Sequence, residues 1–364
     1  MFAAVLGALR LERYLGGHAS SEPAEYDVSL VYYNRLSLSG QRLYTAVVKA
    51  ATAHDEYSDS VDYLYNSNEL RDVLISVRAE HPELYYMREE DVSVSGSGTS
   101  VRARLTYLGT AAEVDRMNAE MAAAKAVYLE RVPKDADDYT LALHDALVRS
   151  CTLPDAGNTN KLYDSAYGAL VLGRASAEGY AQAYQTLLAE VGIYSFLEYG
   201  TADDGTETIW NTMYIGSGYC CTDVLRDDPT HDGGGGAVLH PYFCVTRDTV
   251  ASGREPMLPD LYVSDDAPDY YSSAGIRAAK PDELPAILRR EIAKAAETGD
   301  DRIELALDFV PEQSEFYDAV TNVIAALRGT EGCGELLEVC DIYPLVRENG
   351  VYMIGLRYSS QSGG

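Results

Sequence analysis

Three stretches in the middle of the chain decide the fold: SAYGALVLGRASAEGYAQAYQTLLAEVGI (Ser165–Ile193), TIWNTMYI (Thr208–Ile215) and YCCTDVLRDDP (Tyr219–Pro229). The first stretch indicates a short loop that leads into a helix ending at Gly192. The two shorter stretches are predicted to be neighbouring strands of one sheet. The apolar positions that recur at helical spacing in the first stretch are Tyr180, Ala183, Tyr184, Leu187 and Leu188.

These three stretches resemble the core of a transglutaminase-like domain of the bacterial type. That family has the patterns G-[KR]-A-V-C-E-G-Y-A, H-A-W-N and [WY]-x-x-x-D-V-T-W-D-D-P. The resemblance runs from about Tyr32 to about Tyr271, and it implies a papain-like core in which a helix packs on an antiparallel sheet. The positions that agree with the family patterns are Gly173, Arg174, Ala175, Glu178, Gly179, Tyr180, Ala181, Trp210, Asn211, Asp223, Val224, Asp227, Asp228 and Pro229.

The chain departs from the family where the reaction should take place. The nucleophilic cysteine of the family falls on Ala177 and its histidine on Thr208, whereas its aspartate is kept as Asp223. The family reaction needs a thiolate at a helix N-terminus, a histidine that accepts its proton, and an aspartate that orients the histidine. The resemblance therefore implies a scaffold that lacks two of its three catalytic groups.

Two nearby residues are alternative nucleophiles. Ser176 lies one residue before the cysteine position, so we expect its hydroxyl to point about a quarter of a helical turn away. Cys221 lies two residues before Asp223 and shares its strand face, but no histidine accompanies it. An active acyl transferase or peptidase that uses one of these residues is the alternative to an inactive protein.

The resemblance also implies a groove at the three catalytic positions, and three further residues are expected to line it. Glu178, Tyr180 and Trp210 are expected to form its wall, with Trp210 in the core or at the groove surface. If the chain turns at Gly216–Ser217, Asp223 lies opposite Trp210 on the same face of the sheet.

Composition and charge exclude several classes of protein. The net charge is −28, from 57 acidic and 29 basic residues, so a phosphate backbone would be repelled and nucleic acid is not an expected partner. No stretch approaches the roughly 20 apolar residues that a membrane-spanning helix requires. We expect no cofactor and no metal, because the cysteines form no C-x-x-C pair with histidines nearby.

Most of the cysteines are expected to be buried free thiols. In an oxidising compartment, Cys333 and Cys340 could close a short loop. The other cysteines are Cys151, Cys220, Cys221 and Cys244.

Four segments are predicted along the chain. Residues 1–25 form an N-terminal extension, whose helix at Met1–Tyr14 we interpret as a terminal helix and not as a signal peptide. Residues 26–135 form an α/β module that ends in a long connector helix, Ala111–Arg131. Residues 136–258 form the transglutaminase-like core, with His240–Thr246 as its closing strand. Residues 259–364 form a C-terminal α/β module.

The sequence thus predicts an α+β fold with a papain-like transglutaminase core between two smaller α/β modules. The first functional hypothesis is an inactive protein that binds or scaffolds a peptide, a protein or a peptidoglycan-type ligand. The second is the enzyme with a relocated nucleophile, and the third is a structural surface protein whose groove is filled. The resemblance favours an extracellular or cell-surface location.

Overall fold

The computed structural model describes residues 30–62, 67–88, 93–97, 100–132, 138–215, 218–228, 238–257, 270–328, 330, 336–346 and 350–358. The predicted helix at Met1–Tyr14 and the residues Cys333, Gly216 and Ser217 lie outside this part. The chain divides into two compact units, which we describe separately. The first comprises Met1–Ser217 and Arg254–Asp260, and the second comprises Gly218–Gly253 and Leu261–Gly364.

Ten α-helices occur in the described residues, and none of them has the length and apolar character needed to cross a membrane. In chain order they are α1 (Leu38–Ala53), α2 (Ser67–Glu80), α3 (Ala111–Arg131), α4 (Tyr139–Val148), α5 (Ala166–Leu170), α6 (Ala177–Glu190), α7 (Arg247–Val250), α8 (Tyr270–Ser273), α9 (Leu284–Thr298) and α10 (Gln313–Leu327).

Eleven strands occur in the same residues. In chain order they are β1 (Val61–Asp62), β2 (Ser93–Ser97), β3 (Ser100–Arg104), β4 (Ser195–Ala202), β5 (Glu207–Ile215), β6 (Gly218–Thr222), β7 (Arg254–Pro256), β8 (Arg277–Ala278), β9 (Arg302–Leu307), β10 (Leu336–Val346) and β11 (Val351–Tyr358).

Most strand pairs are antiparallel, and the fold is α+β as predicted. In the first unit, β3 pairs with both β1 and β2, and β4 pairs with both β5 and β7. In the second unit, β11 lies between β10 and β9, and β8 adds to β9 as a parallel strand. The last two strands, β10 and β11, are therefore antiparallel neighbours.

Helix α1 shows how the predicted amphipathic pattern is used. Leu43, Val47 and Ala50 are buried, as their spacing predicts. The N-cap is Ser37 and not Ser39, which the sequence places near the helix start, because the Ser37 hydroxyl accepts a hydrogen bond from the backbone N–H of Gly40 at 3.1 Å. The helix begins at Leu38, so Ser37 is the residue whose hydroxyl reaches the free N–H groups of the first turn.

Helix α6 is the buried centre of the first unit. Every residue from Gly179 to Leu188 is buried, as expected for a helix that packs on all sides. Its contacts with the sheet include the Asn211 amide, which donates to the carbonyl of Ala181 at 2.9 Å, and Gln185, which donates to the carbonyl of Ser195 at 3.1 Å. The predicted arrangement of a helix packed on an antiparallel sheet is therefore present.

The second unit has its own hydrophobic core. Helices α9 and α10 contribute Leu288, Ile292 and Val320, which pack with Leu305 of β9 and Ile354 of β11. These five residues are almost completely shielded from solvent. The unit is therefore able to bury apolar surface of its own.

Two predictions about the segment 238–246 are wrong. His240–Thr246 forms no strand; it makes turns and a single bridge, in which Cys221 and Val245 exchange backbone hydrogen bonds of 2.9 Å. Cys220 and Cys244 form a disulfide, where free thiols were expected. Cys244 has a φ of 50°, and this left-handed conformation cannot continue an extended strand.

Candidate functional site

The start of helix α6 is fixed by backbone hydrogen bonds on both sides of Arg174. The N–H of Thr152 donates to the carbonyl of Gly173, and the N–H of Ala175 donates back to the carbonyl of Thr152, both at 3.0 Å. Gly173 has a φ of 66°, which favours glycine. The N–H of Ser176 then donates to the carbonyl of Tyr163 at 2.9 Å. The residues before the helix are therefore held in one conformation.

A glycine in the first turn allows a neighbouring segment to pass close to the helix. A Cβ atom at Gly179 would lie 2.5 Å from the carbonyl oxygen of Tyr163 and 2.9 Å from that of Ser165. These are backbone atoms, so a larger residue would displace the segment or the helix. The segment Lys161–Asp164, a turn of 3₁₀ helix, is therefore packed against the start of α6.

Ala177, on which the cysteine position of the family pattern falls, is the first residue of α6 and is half-buried. Ser176 is the N-cap, but its side chain makes no capping hydrogen bond. Its hydroxyl oxygen is buried and has no hydrogen-bond partner among the described residues. The first helical hydrogen bond runs from the N–H of Tyr180 to the carbonyl of Ser176, so the N–H groups of residues 177–179 have no acceptor within the helix.

Glu178 and Tyr180 have well-defined partners. The Glu178 carboxylate lies 2.6 Å from Nε of Arg78, and both side chains are largely shielded from solvent. A carboxylate in the first turn also interacts favourably with the helix dipole. The Tyr180 hydroxyl donates to the carbonyl of Cys151 at 2.7 Å and is completely buried. Both residues therefore stabilise the position of the helix start.

Thr208 and Trp210 lie on the same face of strand β5. Thr208 pairs with Gly200 of β4, and its hydroxyl is buried without a hydrogen-bond partner in the described part of the chain. Trp210 is completely buried, and its indole N–H likewise has no partner there. A Cβ atom at Gly200 would lie 3.0 Å from the Trp210 ring, so glycine leaves room for the indole. The guanidinium of Arg254 lies 5.6 Å from the centre of that ring.

The opposite face of β5 is the one that contacts helix α6. Asn211 donates to Ala181, and Tyr184 of α6 contacts the Met213 sulfur at 3.9 Å. The pairing of β5 with β4 is regular from Glu207 to Met213, so side chains alternate strictly between the two faces. Thr208 and Trp210 consequently point away from the face that carries Asn211.

Asp223 and Cys221 belong to the second unit. Oδ1 of Asp223 accepts a hydrogen bond from the N–H of Arg226 at 3.2 Å, and its own N–H donates to the carbonyl of Tyr242 at 3.1 Å. The carboxylate therefore stabilises the turn that follows β6. Cys221 is a free thiol with no exposed surface. The prediction that Asp223 lies opposite Trp210 depends on a turn outside the described residues, and it stays a prediction.

Sequence reasoning missed two features. The Cys220–Cys244 disulfide has no signal in the spacing of the cysteines, because it joins residues 24 positions apart.

The buried carboxylate of Glu80 was also missed, since its segment RAEHPELYY is typical of the end of an exposed helix. Glu80 is 3% exposed and accepts three hydrogen bonds. A glutamate followed directly by His-Pro was the one available signal of a helix end, and it does not indicate burial.

Comparisons with known proteins give weak structural similarity. Neither a known protein family nor a curated protein matches the chain. A candidate cysteine protease from Cytophaga hutchinsonii matches 48% of this chain and 70% of its own, with 11% identity and a TM-score of 0.27. A structure described as a TGase matches 50% of this chain and 52% of its own, with 11% identity and a TM-score of 0.28. At these TM-scores neither match supports a conclusion about this chain.

Proposed function

We propose that this chain is a transglutaminase-like protein without acyl-transfer activity, which uses the groove at the start of α6 to bind an extended peptide or a peptidoglycan-type ligand. The observation that carries the proposal is that Ala177 is the first residue of the buried helix α6. This is the place where the family resemblance puts the nucleophilic cysteine. A methyl group at that position has no atom that could react with an acyl group.

Ala177 and Thr208, the residues at the cysteine and histidine positions, cannot supply the missing groups. Acyl transfer needs a nucleophile and a base that accepts its proton. Thr208 has no basic group at neutral pH, and its side chain lies on the face of β5 that points away from Asn211. Loss of catalytic residues that act as a unit lowers activity by several orders of magnitude.

The alternative nucleophiles fit the reaction poorly. Cys221 has no exposed surface, and its backbone N–H and carbonyl are both tied to Val245 by hydrogen bonds. The Ser176 hydroxyl is buried in its present rotamer. An enzyme with a relocated nucleophile is therefore kept as an outcome of the test and not as a second proposal.

The backbone at the start of α6 supports a role in binding. The first helical hydrogen bond runs from the N–H of Tyr180 to the carbonyl of Ser176, so the first turn directs backbone N–H groups towards the end of the helix. Both residues at this point, Ser176 and Ala177, are half-buried and not fully enclosed. A carbonyl or carboxylate of an extended ligand is the type of acceptor that such donors bind. The net charge of −28 favours a ligand that also carries positive charge.

The disulfide in the second unit supports an extracytoplasmic location. Disulfides such as Cys220–Cys244 persist in oxidising compartments and are rare in the cytosol. A location outside the cytoplasm agrees with the surface setting that the family resemblance implies.

A pair of assays tests the proposal. The first measures amine incorporation and peptidase activity on a peptide library, and we expect none. Turnover that both iodoacetamide and Cys221→Ala abolish would contradict the proposal and favour the relocated nucleophile. Turnover that is lost in Ser176→Ala would do the same for the serine.

The second assay measures binding to immobilised short peptides and to solubilised peptidoglycan fragments. We expect Ala177→Trp to abolish the binding of the wild-type chain, because the indole would fill the groove. The matched control is Val127→Trp, on the exposed face of α3, which should leave binding unchanged. Equal binding by the wild type and Ala177→Trp, or no binding by either, would favour the structural surface protein.

The Ala177→Cys and Ala177→Cys/Thr208→His variants test whether the scaffold still activates a thiol. The helix N-terminus stabilises a thiolate by about 0.3–1 kcal/mol, and a histidine close to it adds to this. An alkylation pKa below the usual value of about 8.5 in the single variant would show that the helix start is still organised for catalysis. A further decrease of this pKa in the double variant is expected only if the side chain at position 208 reaches position 177.

A further inference from the structure

Glu80 joins two distant parts of the first unit through one buried carboxylate. It is the last residue of α2 and is 3% exposed. Oε1 accepts a hydrogen bond from the N–H of Tyr32 at 2.6 Å. Oε2 accepts hydrogen bonds from the N–H of Tyr33 at 3.2 Å and from the hydroxyl of Tyr44 at 2.9 Å. The segment 30–36 and helix α1 are thereby held on the end of α2.

The same segment reaches strand β4. The hydroxyl of Tyr32 donates to the carbonyl of Leu197 at 2.9 Å, and its ring meets Phe196 edge-on with centroids 5.8 Å apart. Strand β7 pairs with β4 only from Gly200 to Ala202, so Tyr32 bonds a carbonyl that lies beyond the end of that pairing. Displacement of the segment would expose this part of the β4 backbone to water.

The electrostatic surroundings make Glu80 sensitive to pH. Burial raises the pKa of this carboxyl from 4.5 to about 7, and the hydrogen bonds from Tyr44, Tyr32 and Tyr33 oppose that effect. The positive charge of His81 also lowers the pKa of Glu80 when the imidazole is protonated. His81 lies against the Tyr44 ring, and its Nδ1 is 2.7 Å from Oε1 of Glu83.

We propose that Glu80 is a pH-responsive latch that holds the segment 30–36 against strand β4. We call the latch closed when the segment 30–36 lies against β4 and open when the segment is released. In the closed state the carboxyl of Glu80 is buried, so its ionised form is disfavoured relative to the protonated form. When the segment is released, the carboxyl meets water and regains an ordinary pKa. The equilibrium constant for closing therefore falls up to about tenfold for each pH unit between about 4.5 and about 7, and it is constant above that range.

Hydrogen exchange of the backbone N–H groups in the segment 30–36 tests the latch. The protection factors, corrected for the intrinsic pH dependence of exchange, are measured by mass spectrometry from about pH 5 to about pH 8. We expect protection of the segment to fall up to about tenfold per pH unit as the pH approaches 7, and then to level off. Glu80→Gln, which resembles the protonated acid in shape and charge, should make protection independent of pH.

Matched variants separate Glu80 from its neighbours. Glu83→Gln, whose carboxylate is more than half exposed, should keep the pH dependence of the wild type. Tyr44→Phe removes a hydrogen bond that lowers the pKa of Glu80, so the window of pH dependence should extend upward. This variant provides a test if Glu80→Gln does not fold.

Three outcomes would overturn the proposal. The first is a wild-type protection factor that does not change with pH, and the second is the same slope in the wild type and Glu80→Gln. The third is a slope that disappears in His81→Gln while it persists in Glu80→Gln, because His81 would then be the titrating group.

Discussion

The Glu80 cluster (Glu80 with Tyr32, Tyr33 and Tyr44) and the hydroxyls of the candidate residues Ser176 and Thr208 all lie in the first unit, but their polar groups are used in opposite ways. The Glu80 carboxylate accepts three hydrogen bonds, whereas the hydroxyls of Ser176 and Thr208 make none among the described residues. Buried polar groups in proteins are normally paired, because an unpaired group loses its hydrogen bonds to water without replacement. The difference indicates that the Glu80 carboxylate serves the fold through its hydrogen bonds, whereas the hydroxyls of Ser176 and Thr208 add no such bond within the described residues.

The largest expected effect is the loss of the Glu80 side chain. Glu80→Ala removes the acceptor of three hydrogen bonds, which come from the N–H groups of Tyr32 and Tyr33 and the hydroxyl of Tyr44. Since the loss of one partner of a buried hydrogen bond costs about 1–3 kcal/mol, we expect the free energy of unfolding to fall by about 3–5 kcal/mol. Urea unfolding of the wild type and of the variant measures this loss. Glu83→Ala is the control, and a similar loss in both variants would show that the buried carboxylate has no special importance.

The second effect is the pH dependence of stability. The pKa of Glu80 is raised to about 7 in the folded state, so its contribution to stability is fully present below about pH 4.5 and is lost as the pH rises to about 7. The wild type should lose about 3 kcal/mol of stability relative to Glu80→Gln across this range. Urea unfolding of both proteins at several pH values gives the difference between their free energies of unfolding. The contributions of the other acidic residues cancel in this difference. A difference that stays constant with pH would contradict the raised pKa.

The third effect compares two positions within the first turn of α6. Gly179→Ala places a methyl group 2.5 Å from the carbonyl oxygen of Tyr163, and we expect a loss of about 1–3 kcal/mol. Ala177→Ser adds one atom at a half-buried position and should change stability by less than about 0.5 kcal/mol. Thermal unfolding measures both. Equal losses would show that the region around Ala177 is packed as closely as that around Gly179.

The sequence predicted the helices well because their signals are local. Helix α3 has the predicted bounds, and it begins with a capping box between Thr110 and Glu113. A helix was also predicted after a short loop in the stretch Ser165–Ile193, and α6 runs there from Ala177 to Glu190. Strand β4 was missed, because its residues SFLEYGTA are buried at successive positions and do not alternate.

The candidate site was predicted only in part, because its polar partners come from distant residues. The ion pair of Glu178 uses Arg78, which is about 100 positions away in the sequence, and the hydroxyl of Tyr180 uses the carbonyl of Cys151. The Asn211 amide shows which face of β5 contacts α6, and no pattern within TIWNTMYI contains that information. The Glu80 cluster and the Cys220–Cys244 disulfide were missed for the same reason, since long-range pairs leave no periodic signal.

The fourth effect concerns the N-cap of α6. Replacing a serine or threonine N-cap by alanine normally costs about 1 kcal/mol, because a capping hydrogen bond is lost. Ser176 makes no such bond, so we expect Ser176→Ala to change stability by less than about 0.5 kcal/mol. Thr110→Ala in α3 is the matched control, and it should show the normal cost, because Thr110 accepts from the N–H of Glu113. A normal cost for Ser176→Ala would indicate that its hydroxyl does cap the helix in solution.

The smallest effect is expected at Thr208, where only one atom changes its character. Thr208→Val keeps the shape of the side chain and replaces a buried hydroxyl, which has no partner in the described residues, by a methyl group. Removing an unpaired buried hydroxyl removes the cost of its lost hydration, so stability should stay the same or increase by up to about 1 kcal/mol.

Thr212→Val is the control on the same face of β5, because the Thr212 hydroxyl donates to Glu198 and its loss should therefore lower stability. Thermal unfolding of the two variants compares them directly. If Thr208→Val lost as much stability as Thr212→Val, an ordered water would be the simplest partner for the hydroxyl, and the contrast with the Glu80 cluster would disappear.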